Sequence, residues 1–332
     1  LGVLLLGFGV GAGMLLCLQK VSYDPLLSLD GTLQEAQILC QKDSTPGRYS
    51  HSAEGTVTID GKTRGVRVYL PEGVSARAGD RIMGTFRWNV TLPGGSKASG
   101  GSSGRGVFLT ASPKGETEVS PGTESLWTLP QTLARAARGA LSRCFPEDAA
   151  PFAQSLLLGD TQDLSYTDET ALRVSGIRHI VAVSGLHVAM LFGILWLLSG
   201  KTPWPAFVVG LPVLWLFAAA AGFTSSVCRA CIMSGLLVLA KLTRRAYDPK
   251  TALAAAALGL MVGNPFVIAA PGFQLSVLSV LGILLFQQPL AGYFRQHLPQ
   301  KGGRFSQGAA DSLSVSLLSL IHISEPTRPE RI

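Results

Sequence analysis

Long apolar runs alternate with polar segments along the chain, and their lengths suit membrane-spanning helices. Residues 1–18 form an uninterrupted apolar run, near the lower limit for crossing a bilayer. Five more apolar segments follow residue 176, and some are short enough to be re-entrant: 177–199, 204–221, 226–241, 251–262 with a continuation to 268, and 273–288. This pattern predicts a polytopic α-helical membrane protein.

Between the first run and the later helices, the chain changes to alternating polar and apolar residues with turn signals. Residues 55–71 predict two strands joined at Asp60-Gly61, a dipeptide favoured in tight hairpins. Further strands are predicted at 81–92 and 106–111, on either side of a Gly/Ser-rich loop. Four or five short strands indicate a small β-barrel, with an OB-like fold, inserted into the membrane protein.

The chain therefore divides into five predicted regions. They are a transmembrane helix at 1–18, an extracytoplasmic OB-like β-barrel at 19–125, an amphipathic interfacial segment at 126–176, a truncated transmembrane bundle at 177–320, and a non-native tail at 321–332. The tail resembles translated sequencing-adapter read-through, and a genuine polar tail is the alternative. The interfacial segment contains an amphipathic helix at 131–145, which is expected to lie at the membrane surface with Arg135, Arg138 and Arg143 on its polar side.

Composition agrees with membrane embedding, because 47% of the residues are hydrophobic and 15% are charged, against about a quarter charged in soluble proteins. One set of alternate loops holds eight basic residues: Lys201, Lys241, Arg244, Arg245, Lys250, Arg295, Lys301 and Arg304. The other set, around 222–225 and 263–272, holds none. The positive-inside rule then makes the first set cytoplasmic and the barrel extracytoplasmic.

Net charge alone says little about nucleic acid here. With Asp248, the eight basic loop residues carry +7, which equals the net charge of the whole chain. A local signal remains in the barrel, where residues 48–114 contain ten basic and four acidic side chains.

Polar residues at membrane depth are the candidates for a passage, because such groups are costly there and usually face a polar interior or a water-filled path. His179 and His187 share roughly one helix face, with Ser184 beside them. Hydrogen bonding between packed helices is the alternative interpretation.

Arg229 lies near the outer end of the third bundle helix, close to Ser226. Its guanidinium either snorkels to the headgroups or offers a charged fork to phosphate. In the final bundle helix, Gln274 and Ser276 form a polar stripe whose alternative role is helix packing.

Two strands of the predicted barrel pair a cation with an aromatic residue. Arg67 is followed by Tyr69, and Arg87 by Trp88. Aromatic platforms beside basic residues hold single-stranded nucleic acid on barrels of this kind. An aromatic residue in a small barrel is often part of the core, which is the alternative for each ring.

The sequence predicts neither a metal site nor a cofactor. Cys228 and Cys231 form an isolated pair in an apolar helix, and a zinc site needs further ligands nearby. Outside the membrane, Cys40 and Cys144 are the cysteines that could meet.

Several spaced motifs together resemble the competence domain of the ComEC family. They are Gly159-Asp160, His179 with VSGLHV at 183–188, GFTSSVCRA at 222–230, Asn264-Pro265, and GFQLS at 272–276. The resemblance implies transport of single-stranded DNA across the bacterial inner membrane during transformation, with an OB-like periplasmic domain. It implies as partners the DNA, the lipid bilayer and other competence proteins, and leaves a homo-oligomer open.

The chain also departs from the family pattern. Ala270-Pro271 stands where members often carry an acidic residue, and the His-x-His-x-Asp-His motif of the metallo-β-lactamase-like domain found in many members is absent from the sequence. We therefore expect a truncated channel fragment with no catalytic residue.

Two other functions remain open from sequence. A small-solute permease fits the helical pattern. An intramembrane serine hydrolase would use Ser184, but it requires a base on a different helix, whereas His179 and His187 lie on the same one.

Overall fold

The computed structural model describes a barrel followed by a helical bundle. It covers residues 24–46, 50–59, 61–71, 73–90, 106–122, 128–158, 164–175 and 185–297, with Gly13, Lys20 and Gly104. Outside these residues lie nearly all of the span predicted at 1–18, the start of the span at 177–199, and the segments at 306–320 and 321–332.

Within the described residues, one sheet contains six strands, preceded by a short helix α1 (Asp24–Leu27). The strands are β1 (Leu33–Cys40), β2 (Thr45–Pro46), β3 (His51–Ile59), β4 (Lys62–Leu70), β5 (Arg81–Val90) and β6 (Val107–Ser120). The sheet order is β1-β5-β6-β4-β3-β2, and an added pairing of β1 with β3 closes the five long strands into a barrel. Neighbouring strands are antiparallel except β4 and β6, which are parallel.

The barrel closes around side chains that point inward at every second position. Those of β4 and β5 are at most 1% exposed: Val66, Val68, Leu70, Ile82, Phe86 and Trp88. Because successive side chains of a strand point to opposite faces, Arg67, Tyr69 and Arg87 point outward.

The hairpin predicted at Asp60-Gly61 is confirmed. Ile59 of β3 pairs with Lys62 of β4, which leaves a two-residue turn. Gly61 has a φ of 72°, and short hairpin turns require this left-handed conformation.

Three helices connect the barrel to the bundle: α2 (Leu129–Cys144), α3 (Ala150–Leu158) and α4 (Tyr166–Val174). Arg135 Nε and Arg138 Nη2 of α2 each lie 3.7 Å from Asp43 Oδ2 of the barrel. Gln131 donates to the backbone carbonyl of Ala219 at 3.4 Å. The polar side of α2 therefore contacts the barrel, and its predicted position at the membrane surface stays a prediction.

The bundle consists of apolar helices joined by short loops. They are α5 (Gly185–Leu198), α6 (Pro203–Ala220), α7 (Ser225–Leu242), α8 (Pro249–Gly263) and α9 (Pro271–His297). Among the described residues, α6, α7 and the Pro271–Leu290 part of α9 are long and apolar enough to cross a membrane, whereas α5 and α8 are shorter. The span predicted to continue to residue 268 is interrupted after Gly263, because the Asn264 side chain caps a separate 3₁₀ turn at Pro265–Ala269.

The loops of the bundle that carry no basic residue contact the barrel. Asn264 Nδ2 donates to the Gly104 carbonyl at 3.0 Å. The rings of Phe108 and Phe266 pack edge to face with centroids 5.2 Å apart. Among the described residues, Lys201, Arg244 and Arg245 lie in loops at the opposite ends of these helices.

Candidate functional site

A buried arginine is the centre of the candidate site. Arg229 lies in the second turn of α7 and is only 7% exposed. Its Nε donates to Ser276 Oγ of α9 at 2.9 Å, and its Nη1 lies 3.9 Å from Met233 Sδ. A snorkelling arginine keeps its head in the headgroup region, so the buried guanidinium favours the alternative in which it faces the bundle interior.

The N-terminus of α5 packs directly against this arginine. The Gly185 N–H donates to Ser226 Oγ at 3.2 Å. A Cβ atom at Gly185 would lie 3.1 Å from Arg229 Nη2, which is closer than ordinary van der Waals contact. Only glycine allows this approach without a shift of the guanidinium. We call the four residues Arg229, Gly185, Ser226 and Ser276 the Arg229 cluster.

The Arg229 cluster is electropositive and lacks an acidic neighbour in the bundle sequence. Between residues 176 and 297 the chain has one acidic side chain, Asp248, which caps the N-terminus of α8 near the opposite end of α7. The ion pairs between described residues do not include Arg229. The guanidinium of Arg229 presents a planar fork of N–H donors, so the cluster can stabilise an anion.

The polar stripe predicted on α9 has two different roles. Ser276 accepts the hydrogen bond of Arg229, as described above. Gln274 Nε2 donates to the Ile268 carbonyl at 2.8 Å and thereby fixes the turn that precedes α9. The hydrogen bond between Arg229 and Ser276 joins α7 to α9, so the helix-packing interpretation applies to Ser276, whereas Gln274 bonds to the turn before its own helix.

The histidine and serine candidates before α5 are only partly described. His179 and Ser184 lie outside the described residues. His187 is in the first turn of α5 and is partly buried.

Three of the four barrel candidates share one outward face. Arg67 of β4 pairs with Thr110 of β6, and Arg87 of β5 pairs with Ser112 of the same strand. Tyr69 follows Arg67 on the same side of β4 and is 39% exposed. We call this surface of β4, β6 and β5 the outer face.

Trp88 is a correction to the prediction from sequence. Its side chain has no exposed area and packs in the barrel core, with its ring centroid 6.1 Å from that of Phe86. It faces inward because it lies two residues from Phe86 on β5. A base therefore has no access to its indole ring.

Glu54 links two cations that sequence analysis did not connect. Its Oε1 lies 2.8 Å from Arg67 Nη2, and its Oε2 lies 2.8 Å from Lys42 Nζ. The cross-strand pairing of Glu54 with Arg67 could be found only from the register of the hairpin. Lys42 follows the end of β1 and faces the bundle.

A cavity of about 810 Å³ separates the barrel from the charge-free loops of the bundle. We call it the barrel–bundle cleft. Its lining includes Lys42, Glu54, Arg64, Phe223, Asn264 and Phe266. Sequence analysis missed it because its two walls are far apart along the chain, although the motifs at 222–230 and 264–265 supply one wall.

Comparison with known proteins supports the interpretation of the motifs. A family model for the Competence protein matches residues 156–325, just over half of the chain. "ComE operon protein 3" of Bacillus subtilis (strain 168) is 31% identical over 150 residues, which cover 43% of this chain and 19% of that protein. The matched part is therefore about one fifth of that relative's length. No solved structure matches the chain.

The matched region contains both the Arg229 cluster and the loops that line the barrel–bundle cleft. The apolar helices that surround them are those of a membrane protein. The chain belongs to the ComEC family of competence proteins.

Proposed function

We propose that this chain is a channel component through which single-stranded DNA crosses the bacterial inner membrane during natural transformation. The bundle provides the passage, and the barrel receives the strand outside the membrane. The proposed role is transport without catalysis, and it uses no cofactor or metal.

The observation that carries this proposal is the Arg229 cluster. A guanidinium suits phosphate because its N–H groups form a planar fork. The acceptors on Arg229 are the neutral hydroxyl of Ser276 and the sulfur of Met233, so an arriving phosphate displaces no carboxylate.

A passage for a polyanion through the bundle also requires that the bundle walls carry little negative charge. The bundle sequence meets this requirement with a single acidic residue, which lies at the far end of α7. The polar side chains proposed to line the route are His179, Ser184, His187, Ser226 and Ser276, while Gln274 positions the adjoining turn.

The strand order of the barrel supports an OB-type fold. Numbered one to five along the chain, the five long strands close in the order 1-2-3-5-4, with strands three and five parallel. OB folds bind oligonucleotides on the face of strands two and three. Arg67 and Tyr69 lie on the third strand, and Arg87 extends the same outer face.

The loop charges support an extracytoplasmic barrel. Basic residues concentrate on the cytoplasmic side of membrane proteins, and here they lie at the helix ends away from the barrel. The charge-free ends touch the barrel through Asn264 and Phe266. We therefore propose that residues 19–176 lie outside the inner membrane.

The first prediction is that Arg229→Ala lowers DNA uptake about 10- to 100-fold, because it removes a charge-assisted interaction worth about 1.5–3 kcal/mol. Uptake of labelled DNA and transformation frequency are measured in cells whose own gene is replaced by the variant gene. Arg229→Lys should give an intermediate loss, since lysine keeps the charge without the fork.

The matched control is Arg245→Ala, which removes an exposed arginine from the opposite end of the bundle and should leave uptake near wild type. Immunoblotting of membranes confirms that each variant is inserted. Normal uptake by Arg229→Ala would contradict the proposal and favour the small-solute permease.

A further inference from the structure

We propose that the barrel–bundle cleft is a second binding site for single-stranded nucleic acid, in which Phe223 stacks on a base and Lys42 binds a neighbouring phosphate. The inference rests on the proposed function and adds a base-contacting site before the phosphate site at Arg229. The chemical class bound at Phe223 is an unpaired nucleobase.

The backbone at the end of α6 holds Phe223 away from its own helix. The Gly222 N–H donates to the Ala219 carbonyl at 3.0 Å, and the Phe223 N–H donates to the Ala218 carbonyl at 2.7 Å. After this type of helix end, an apolar residue commonly packs back on the last turn. Phe223 instead has a φ of 53° and is 53% exposed, so its ring remains available.

The exposed ring and a lysine of the barrel line the same cleft. Lys42 Nζ is 3.0 Å from the point that a Cβ at Gly222 would occupy, and both Lys42 and Phe223 line the cleft. Lys42 and Arg67 both pair with Glu54, so two cations and one carboxylate lie between the cleft and the outer face. An aromatic platform next to backbone-binding cations is the arrangement that holds single strands without sequence preference.

The other aromatic rings that line the cleft are already packed. Phe266 is 7% exposed, and its ring meets that of Phe108 edge to face. Phe223 is followed within two residues by the start of α7, and Arg229 lies in the second turn of that helix. Phe223 therefore precedes Ser226 and Arg229 of the Arg229 cluster by only a short stretch of chain.

An exposed aromatic residue at a helix end can instead anchor a protein at the membrane interface. Leucine separates these roles, because it keeps the apolar character of Phe223 and removes the ring. Phe207→Leu is the matched control, since Phe207 is 41% exposed near the other end of α6.

The test measures binding of two fluorescent 12-mers to the full chain in lipid nanodiscs. One is oligothymidylate, and the other is an abasic strand with the same number of phosphates. We expect Phe223→Leu to weaken oligothymidylate binding about 5- to 100-fold while leaving abasic binding unchanged. Phe223→Trp should restore binding, and Phe207→Leu should behave as wild type.

The stacking site would be overturned if Phe223→Leu weakened binding of both strands equally, or if it changed the binding of neither. The proposed function would stand in both cases. Failure of the wild-type chain to bind either strand would contradict the proposed function and the inference together. Arg229→Ala should weaken binding of both strands equally, which distinguishes a phosphate contact from a base contact.

Discussion

At the scale of single residues, the close approach of Gly185 to Arg229 defines the proposed anion site. The glycine lets the N-terminus of α5 approach the guanidinium, and Ser276 orients the guanidinium from the other side. Burying a charge without an opposite charge beside it is costly, and this cost is the physical reason for proposing that an anion binds at the Arg229 cluster.

This contact gives a prediction for glycine substitutions on one helix. In Gly185→Ala the added Cβ would lie 3.1 Å from Arg229 Nη2, so the guanidinium must move. We expect DNA uptake to fall about tenfold, which is equivalent to about 1.4 kcal/mol. Gly193→Ala adds a Cβ with no atom within 4 Å, and we expect unchanged uptake. Equal uptake by the two variants would show that the close approach at Gly185 is not required.

At the scale of elements, features that depend on neighbouring residues, such as hairpins and strand alternation, could be predicted from the sequence. The hairpin between β3 and β4 follows from Asp60-Gly61, and the alternation along β5 would have assigned Trp88 to the core beside Phe86. β6 was predicted to end at residue 111 because later residues lose the apolar alternation. It extends to Ser120 because β5 pairs with it along most of its length.

Contacts between distant elements could not be predicted. Arg229 and Ser276 are 47 residues apart and meet only when α7 packs on α9. The arginines of α2 likewise contact the barrel through Asp43, whereas their amphipathic pattern indicated only a polar side.

Closure of the barrel predicts unequal reactivity of its cysteines. Cys40 ends β1, which pairs with both β3 and β5. Burial, reinforced by Asp80 and Asp43, raises the pKa of the Cys40 thiol to about 12. Because the thiolate is the reactive form, Cys40 should resist maleimide from pH 7 to pH 9.

The measurement is maleimide labelling of the folded chain in a Cys17→Ser background. Exposed Cys144 should be labelled rapidly, and Cys144→Ser should abolish this reaction. Cys40 should react only after denaturation. Rapid labelling of Cys40 in the folded chain would contradict the closed barrel.

At the scale of the whole molecule, the barrel sits on the charge-free ends of the bundle. The outer face, the barrel–bundle cleft and the Arg229 cluster then form a proposed route from outside the membrane to its interior. Each of these places offers cationic groups to the DNA backbone, and none reads base edges, as general uptake of DNA requires.

The central claim is that DNA passes the Arg229 cluster inside the bundle. The most direct measurement is photo-crosslinking of labelled incoming DNA to benzoylphenylalanine placed at position 276 or 278 of the full-length protein in transforming cells. Ser276 faces Arg229, whereas Leu278 is two residues along α9 and 55% exposed on the bundle surface. We predict crosslinks at position 276 and none at position 278. Equal crosslinking at both positions would contradict the proposed passage, and so would the absence of crosslinks at position 276.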